Sequence, residues 1–295
     1  MVPVRYPLDV HDDLIQRIRR RRDQFSPGYQ RVADYLVTHY EEAAFASAAR
    51  VAQASGVSES LVVRFASSLG YAGYKALSSE LKAMVQARLS LPDRLRKATP
   101  TLTATASGRD VLEHVVALDT RNLEESLVGN LQDVFDPIVS AMLKARSIYL
   151  VGLRGPAHLA GLFGVLLDKA GASVHVITQG DVVMFDQLRR IDDQDLMFVF
   201  TFSRYTARSR DAVRFARSRG ATTVVMTDGP NSPAAAESEY VLDIQVATAS
   251  FQHSYVAAIS VMNALVAAWT LRAPERSLES LESLESVIPE GSFLT

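Results

Sequence analysis

The stretch Gly56–Phe65, GVSESLVVRF, sets a glycine, a serine suited to capping and a partly apolar helix start close together. Taken with the residues from Ala48 onward, it reads as two short helices joined by a tight turn. Val51 and Val57 face inward, Ala52 is small where the helices cross, and Gly56 supplies the positive φ of the turn. Ser58 caps the second helix, which Val62 and Phe65 anchor and which ends at Leu69-Gly70. Ser58, Glu59, Ser60, Leu61 and Arg64 are left on or near its exposed start. A helix fits the major groove of B-DNA, and its free N–H groups and dipole favour phosphate. Arg64 is the foremost candidate for a base or phosphate contact, with Ser58 and Ser60 next and Glu59 beside them. Tyr71, Tyr74 and Lys75 follow in a glycine-flanked turn, within reach of a DNA backbone, although the tyrosines equally suit packing. The same spacing also suits an ordinary corner between helices, with Arg64 paired to Glu59 or Glu80.

Outward from this turn, the first hundred residues lack strand signals. Helices are expected over Asp12–Arg22, from Ser26-Pro27 through Tyr40, over Ser47–Ala54, and from Tyr74 to Leu89. LPDRLRKATPTLTATASG, rich in Thr, Ala, Ser and Pro, reads as a linker over 91–107. It divides an all-helical domain, 1–90, from a second domain, 108–295. Helical pattern resumes at Asp110–Val128 and Leu131–Ala145. From Ser147 the texture changes: SIYLVG, SVHVIT, DLMFVFTF, ATTVVMTD and YVLDI are short apolar runs rich in β-branched and aromatic residues. Segments of helical length separate most of them, which predicts an α/β, doubly wound parallel sheet. A buried helix is expected over Tyr255–Leu271, and SLESLESLES reads as a polar helical extension.

Composition bounds the function. The 295 residues suffice for two domains, and 48% hydrophobic with 22% charged is globular. No apolar run reaches the roughly 18 residues needed to span a bilayer, and the N-terminus lacks a signal-peptide core, so a cytoplasmic protein with no membrane partner is expected. The absence of cysteine excludes disulfides, thiolate zinc sites and cysteine nucleophiles. The net charge of −2 hides an asymmetry: residues 1–97 hold 15 Lys+Arg against 10 Asp+Glu, and the remainder 16 against 23. A basic front half fits a polyanion-binding module, although the run Arg17, Arg19, Arg20, Arg21 and Arg22 also suits a solvated helix face.

SAARVAQASGVSESLVVRFASSLGYAGYKALSSEL resembles the N-terminal helix-turn-helix of the RpiR/MurR family of bacterial transcriptional regulators. Val57-Ser58, Arg64-Phe65, Leu69-Gly70-Tyr71 and Gly73-Tyr74 carry the likeness, while Leu61 stands where that family commonly has threonine. The resemblance implies double-stranded operator DNA as a partner.

In a doubly wound sheet, ligands bind beyond the carboxyl ends of the strands. Two loops have that placement, GLRGPAHLAG after SIYLV and TFSRYTARS after DLMFVF. Thr201, Ser203 and Thr206 bring three hydroxyls to a strand end and helix start, which either cradle an anion with Arg204 or cap the helix. Asp228, Ser250 and His253 are candidates for the same cleft, with Tyr205 inside the second loop. Gly152 to Gly155 lacks the full GxGxxG pattern and an acidic residue at ribose spacing, so no nicotinamide cofactor is expected. No metal-ligand cluster stands out.

This half resembles the sugar isomerase (SIS) domain, which in RpiR/MurR regulators binds a phosphorylated sugar or related metabolite. Where the family's first loop commonly has glycine, any, glycine, any, serine, this chain has Gly152, Arg154 and Pro156. The second loop has Thr201, Ser203, Arg204 and Thr206 where serine, serine, glycine and threonine are usual. Arg154 and Arg204 either supply donors to a phosphate or carboxylate, or fill the pocket and pair with Asp181, Asp186 or Asp228. The resemblance implies an effector that is a phosphorylated sugar or a sugar acid, and a homodimer or tetramer presenting two recognition helices about one DNA turn, roughly 34 Å, apart. SIS folds also host isomerases, which would make His253 a base with Glu237 or Glu239 as its partner. No paired carboxylates or nucleophile and base at recognisable spacing accompany it, and no catalytic residue is assigned.

Overall fold

The computed structural model describes residues 14–88, 91–98, 106–128, 131–229 and 232–287. The chain divides into two compact units, Met1–Leu89 and Ser90–Thr295.

The first unit is helical throughout its described residues. Its helices are α1 (Leu14–Arg21), α2 (Pro27–Thr38), α3 (Tyr40–Phe45), α4 (Ala48–Ser55), α5 (Glu59–Ser68) and α6 (Tyr74–Arg88). Asp12, the expected start of the first helix, and Leu89, the expected end of the last, lie outside the described residues. The helix expected through Tyr40 instead breaks at His39, whose φ of −124° and ψ of 35° leave the helical region, and α3 follows. Val32, Leu36, Val51, Val62, Phe65, Leu77 and Leu81 are fully buried together. Each such side chain contributes about 1.5–3 kcal/mol on leaving water. Phe65 stacks edge-on against Phe25 and Tyr29, so the second helix of the turn is fixed from its inner face. The arginine run is a largely solvated face: Arg19 and Arg20 are exposed, and Arg22 reaches Asp34 through two contacts of 2.6 and 2.8 Å.

The second unit holds five parallel strands, β1 (Ile148–Gly152), β2 (Val174–Ile177), β3 (Leu196–Phe200), β4 (Thr222–Thr227) and β5 (Tyr240–Asp243), in the order β2-β1-β3-β4-β5. Every residue of β1 and β3 is buried, as expected of central strands covered on both faces. Alternate residues serve opposite cores. Leu150, Phe198 and Met226 pack against α9 (Leu131–Lys144), α10 (Ala157–Lys169) and α13 (Val256–Arg272). Val151, Val199 and Val225 pack against α11 (Val182–Leu188) and α12 (Ala207–Ser218). Further helices are α7 (Leu91–Ala98), α8 (Gly108–Val128) and α14 (Pro274–Val287). Part of the stretch read as a linker is therefore helix: α7 falls inside it, in the second unit, and residues 99–105 lie outside the described ones. The SLESLESLES tail is helical, in α14, with Leu278, Leu281 and Leu284 exposed.

Candidate DNA-reading face and effector cleft

The turn between α4 and α5 is built from short-range bonds. Ser47 Oγ accepts the Arg50 N–H at 3.2 Å and fixes the start of α4. Gly56 takes φ 66° at its end, and the Val57 N–H donates to Ala52 O at 2.9 Å. Ser58 holds the N-cap position of α5, but its hydroxyl lies 3.1 Å from that of Ser60 and caps no backbone N–H. The expected side-chain cap is thus replaced by a pair of hydroxyls. The first N–H groups of α5 keep their donors for an outside acceptor.

Ser58, Glu59, Ser60 and Arg64 are all exposed, and Val63 and Ser67 extend the same face. Ser67 was not singled out from sequence, although the spacing of Ser60, Arg64 and Ser67 is that of one helical stripe. Arg64 Nε donates to Ser60 O at 3.4 Å, and among the described residues Arg64 forms no ion pair. Glu80 instead accepts from the Tyr71 hydroxyl and lies 3.8 Å from Arg17. Leu61 is not at the exposed start: it is half-buried, close enough to Gly28 that a Cβ there would meet its Cδ1 at 2.9 Å. Lys75 is exposed and Tyr71 half-buried. Of the two roles open to Tyr74, DNA contact and packing, the structure shows packing. Its ring is buried and its hydroxyl donates to Ala43 O at 2.8 Å, which pushes its pKa up to about 12 through burial. It packs the domain and does not face outward.

In the second unit the chain leaves β1 toward β2 on one side, while β3 lies on the other. This is the topological switch point at which open parallel sheets bind ligands. Gly152 pairs with Phe200 in register, so the loops after β1 and β3 emerge side by side. Gly152 itself has no room for a side chain, since a Cβ would meet Pro156 O at 2.4 Å. Arg154 and Arg204 adopt φ of 63° and 74°, the positive-φ non-glycine residues of the chain's described part. Both thus hold glycine-like backbone while carrying a guanidinium.

The cleft between these loops has a volume of about 120 Å³ and brings together Arg154, Gly155, Thr201, Ser203, Arg204, Thr206 and His253. Gly152, a candidate from sequence, is not among the lining residues. Among the described residues no Asp or Glu lines the cleft, and neither Arg154 nor Arg204 forms an ion pair. Asp181, one of the carboxylates considered for them, caps α11 by accepting the Val183 N–H at 3.1 Å. The hydroxyls have local duties: Thr206 Oγ1 accepts the Ser209 N–H at 3.2 Å, capping α12, and Thr201 is buried.

Asp228, Tyr205 and Ser250 do not line the cleft. Asp228 accepts from the Ser203 N–H at 3.0 Å, from the Ser203 hydroxyl and from the Tyr205 hydroxyl at 2.8 Å. Its carboxylate is occupied in shaping the β3 loop from behind. Burial, then the Asp228 charge, drives the Tyr205 hydroxyl well above its ordinary pKa. Ser250 is exposed, with its N–H on Thr248 Oγ1.

Among the cleft-lining residues that sequence reasoning did not single out are Leu91, Arg94, Gln252 and Tyr255. Arg94 Nη1 donates to His253 Nε2 at 2.7 Å. Gln252 and Tyr255 crowd Gly155, where a Cβ would meet the Tyr255 hydroxyl at 3.1 Å. Burial pushes that hydroxyl up to about 12, against the lowering influence of Arg94 and Arg154. For Gln252 and Tyr255, proximity to His253 in the chain is the only sequence signal.

Comparison with known proteins agrees with both halves. Residues 13–88 match the helix-turn-helix domain of the rpiR family, and residues 141–268 match the SIS domain. The chain belongs to the RpiR family. Along 253 residues, 79% of each chain, this RpiR-type regulator is 27% identical to the HTH-type transcriptional regulator HexR of Pseudomonas aeruginosa. The sugar isomerase domain of an RpiR transcription factor from Sphaerobacter thermophilus superposes with a TM-score of 0.58 at 28% identity, covering 60% of this chain and 99% of that one. The Vibrio vulnificus NanR protein, solved in complex with ManNAc-6P, shares the fold with a TM-score of 0.54 at 21% identity, over 94% of this chain and 98% of that one.

Proposed function

We propose that this RpiR-family regulator binds operator DNA through the exposed face of α5 and senses an anionic sugar, a phosphorylated sugar or a sugar acid, in the cleft at the ends of β1 and β3. The observation that carries the sensing half is the pair Arg154 and Arg204. Two guanidiniums sit on left-handed backbone at adjacent strand ends, in a cleft lined by no carboxylate. Left-handed backbone costs a non-glycine residue roughly 1–2 kcal/mol, and a bidentate partner for phosphate or carboxylate is the gain such a residue offers. The sugar phosphate bound by NanR supports the same class of ligand.

On α5, Ser58, Ser60 and Arg64 are the reading residues, with Glu59 and Lys75 at the margin and Tyr71 near the DNA backbone. The protein acts as a homodimer. Leu112, Val116, Leu127 and Val128 of α8 are exposed, and an apolar groove of about 630 Å³ runs between α8, α9 and α13, a surface suited to a second copy. A ligand favouring one dimer geometry shifts the separation of two α5 helices and with it the operator affinity.

Two measurements test this reading. Thermal shift across sugar phosphates and sugar acids should find a compound that raises Tm, because a ligand selective for the native state stabilises it. Binding to duplex DNA from around the protein's own gene should weaken steeply with salt. A flat thermal panel counts against the effector cleft, and salt-independent or absent DNA binding counts against the α5 face.

A further inference from the structure

Tyr255 stands at the N-cap of α13, half-buried in the wall of the cleft. Its ring is flanked by two others, Phe202 at 5.2 Å between centroids and His253 at 6.3 Å, and Phe202 is itself buried. Rings packed at such distances hold one another in place, so the phenol keeps a fixed direction over the loop after β1. Its hydroxyl lies 3.1 Å from the point that a Gly155 Cβ would occupy, and the Gln252 amide nitrogen lies 3.3 Å from the same point. Gly155 lets both polar groups approach the loop because it has no side chain. Among the described residues the Tyr255 hydroxyl makes no hydrogen bond, to Gln252 or to any other group. Burial, the largest cause, holds it up at about 12, so at neutral pH it is a phenol that can both donate and accept.

Arg154 precedes Gly155 and lines the same cleft, and its charge reaches the Tyr255 hydroxyl, where it opposes the rise in pKa. An anion held by that guanidinium therefore has an uncharged donor beside it. Size decides which part of the ligand meets this donor. At about 120 Å³ the cleft falls short of the roughly 300–1000 Å³ that enclose a whole small molecule. It has room for an anionic group and the first carbons attached to it. We propose that Tyr255 and Gln252 determine specificity by hydrogen-bonding a hydroxyl on the carbons next to the effector's phosphate or carboxylate. Polyhydroxylated anions are thereby separated from inorganic phosphate and from anions on plain alkyl chains. A site that bonds a ligand hydroxyl rejects the analogue lacking it, because its own polar groups are then left without a partner. This rests on the reading of the cleft as an anion site and adds to it the uncharged part of the ligand.

The test uses the full chain with sn-glycerol 3-phosphate, n-propyl phosphate and inorganic phosphate at equal ionic strength, with affinities from calorimetric titration and from Tm. Propyl phosphate has the charge and chain length of glycerol phosphate but no hydroxyls. Wild type should bind glycerol phosphate about tenfold more tightly than propyl phosphate, the difference that one neutral hydrogen bond makes. Tyr255→Phe removes one oxygen and keeps the ring, and should bring the two compounds to equal affinity. Gln252 is exposed, so Gln252→Ala is independent of any packing defect at the ring, and it should narrow the gap in part. Arg204→Ala should weaken the binding of all three. A preference that survives in both Tyr255→Phe and Gln252→Ala, or wild-type binding that ignores the hydroxyls, would overturn the role of the pair and leave the anion cleft standing. Indifference of the wild type to all three anions would overturn the cleft reading and this inference with it.

Discussion

Asn122 and Ala247 exchange two hydrogen bonds: Asn122 Nδ2 donates to Ala247 O at 2.8 Å, and the Ala247 N–H donates to Asn122 Oδ1 at 3.0 Å. A buried helix side chain thereby stands in for a neighbouring strand, just beyond β5. One turn later Ser126 Oγ accepts the Gln245 N–H at 2.8 Å and donates to Asn122 O at 2.6 Å. Asn122→Ala removes both bonds to Ala247. The expected loss is about 2 kcal/mol, with Tm lowered by roughly 5 °C, measurable by urea and thermal unfolding.

Arg64 is exposed and, among the described residues, bonded only to its own helix, so Arg64→Ala should leave Tm unchanged. Operator affinity should fall by an order of magnitude or more. Fluorescence anisotropy over a salt series distinguishes its partner: loss of a phosphate contact lowers the salt slope by about one, whereas loss of a base contact relaxes sequence preference. Unchanged affinity in a folded variant would remove α5 from the DNA interface.

Arg154→Gly and Arg204→Gly each relieve a positive φ. Either should raise stability in ligand-free protein by up to about 1 kcal/mol, the relief being partly offset by glycine's greater freedom in the unfolded chain. Each should also weaken the thermal response to anionic sugars. A stabilised protein with an intact response would mean that the guanidiniums do not bind the ligand.

Asp243, at the end of β5, has its carboxyl raised to about 6, first by burial and then by the Asp228 charge. The folded protein holds that proton more tightly than the unfolded chain. Its stabilising contribution is complete below about pH 4, the unfolded value, and is lost as pH rises through 6. Asp243→Asn should therefore exceed wild type in stability at pH 8 by about 1–2 kcal/mol, a gap that closes by pH 4. Urea unfolding at the two pH values decides it.

The strands were legible because β1 and β3 are buried on both faces, which leaves uninterrupted apolar runs, and the turn at Gly56 was legible because few residues besides glycine accept its φ. Tyr74 stayed open between packing and DNA contact because flanking glycines suggest an exposed turn, whereas its partner, Ala43, belongs to another helix. α7 was hidden by a composition of Leu, Pro, Arg and Lys that spells a linker as readily as one amphipathic helix of 8 residues. Arg94 meets His253 from 159 positions away, and the Asp228 contacts to Ser203 and Tyr205 join two different strand ends. Such pairings arise from strand order, which no local pattern encodes.

The sheet ends on both sides in strands of only four residues, β2 and β5. A border that short gives an incoming strand little backbone to grip, and past the end of β5 the amide of Asn122 already holds the main chain of Ala247. Copies of this protein consequently have scant means of joining edge to edge. The proposed pairing of two copies would therefore fall to helical surfaces, where a partner can slide or rotate without breaking a ladder of main-chain bonds.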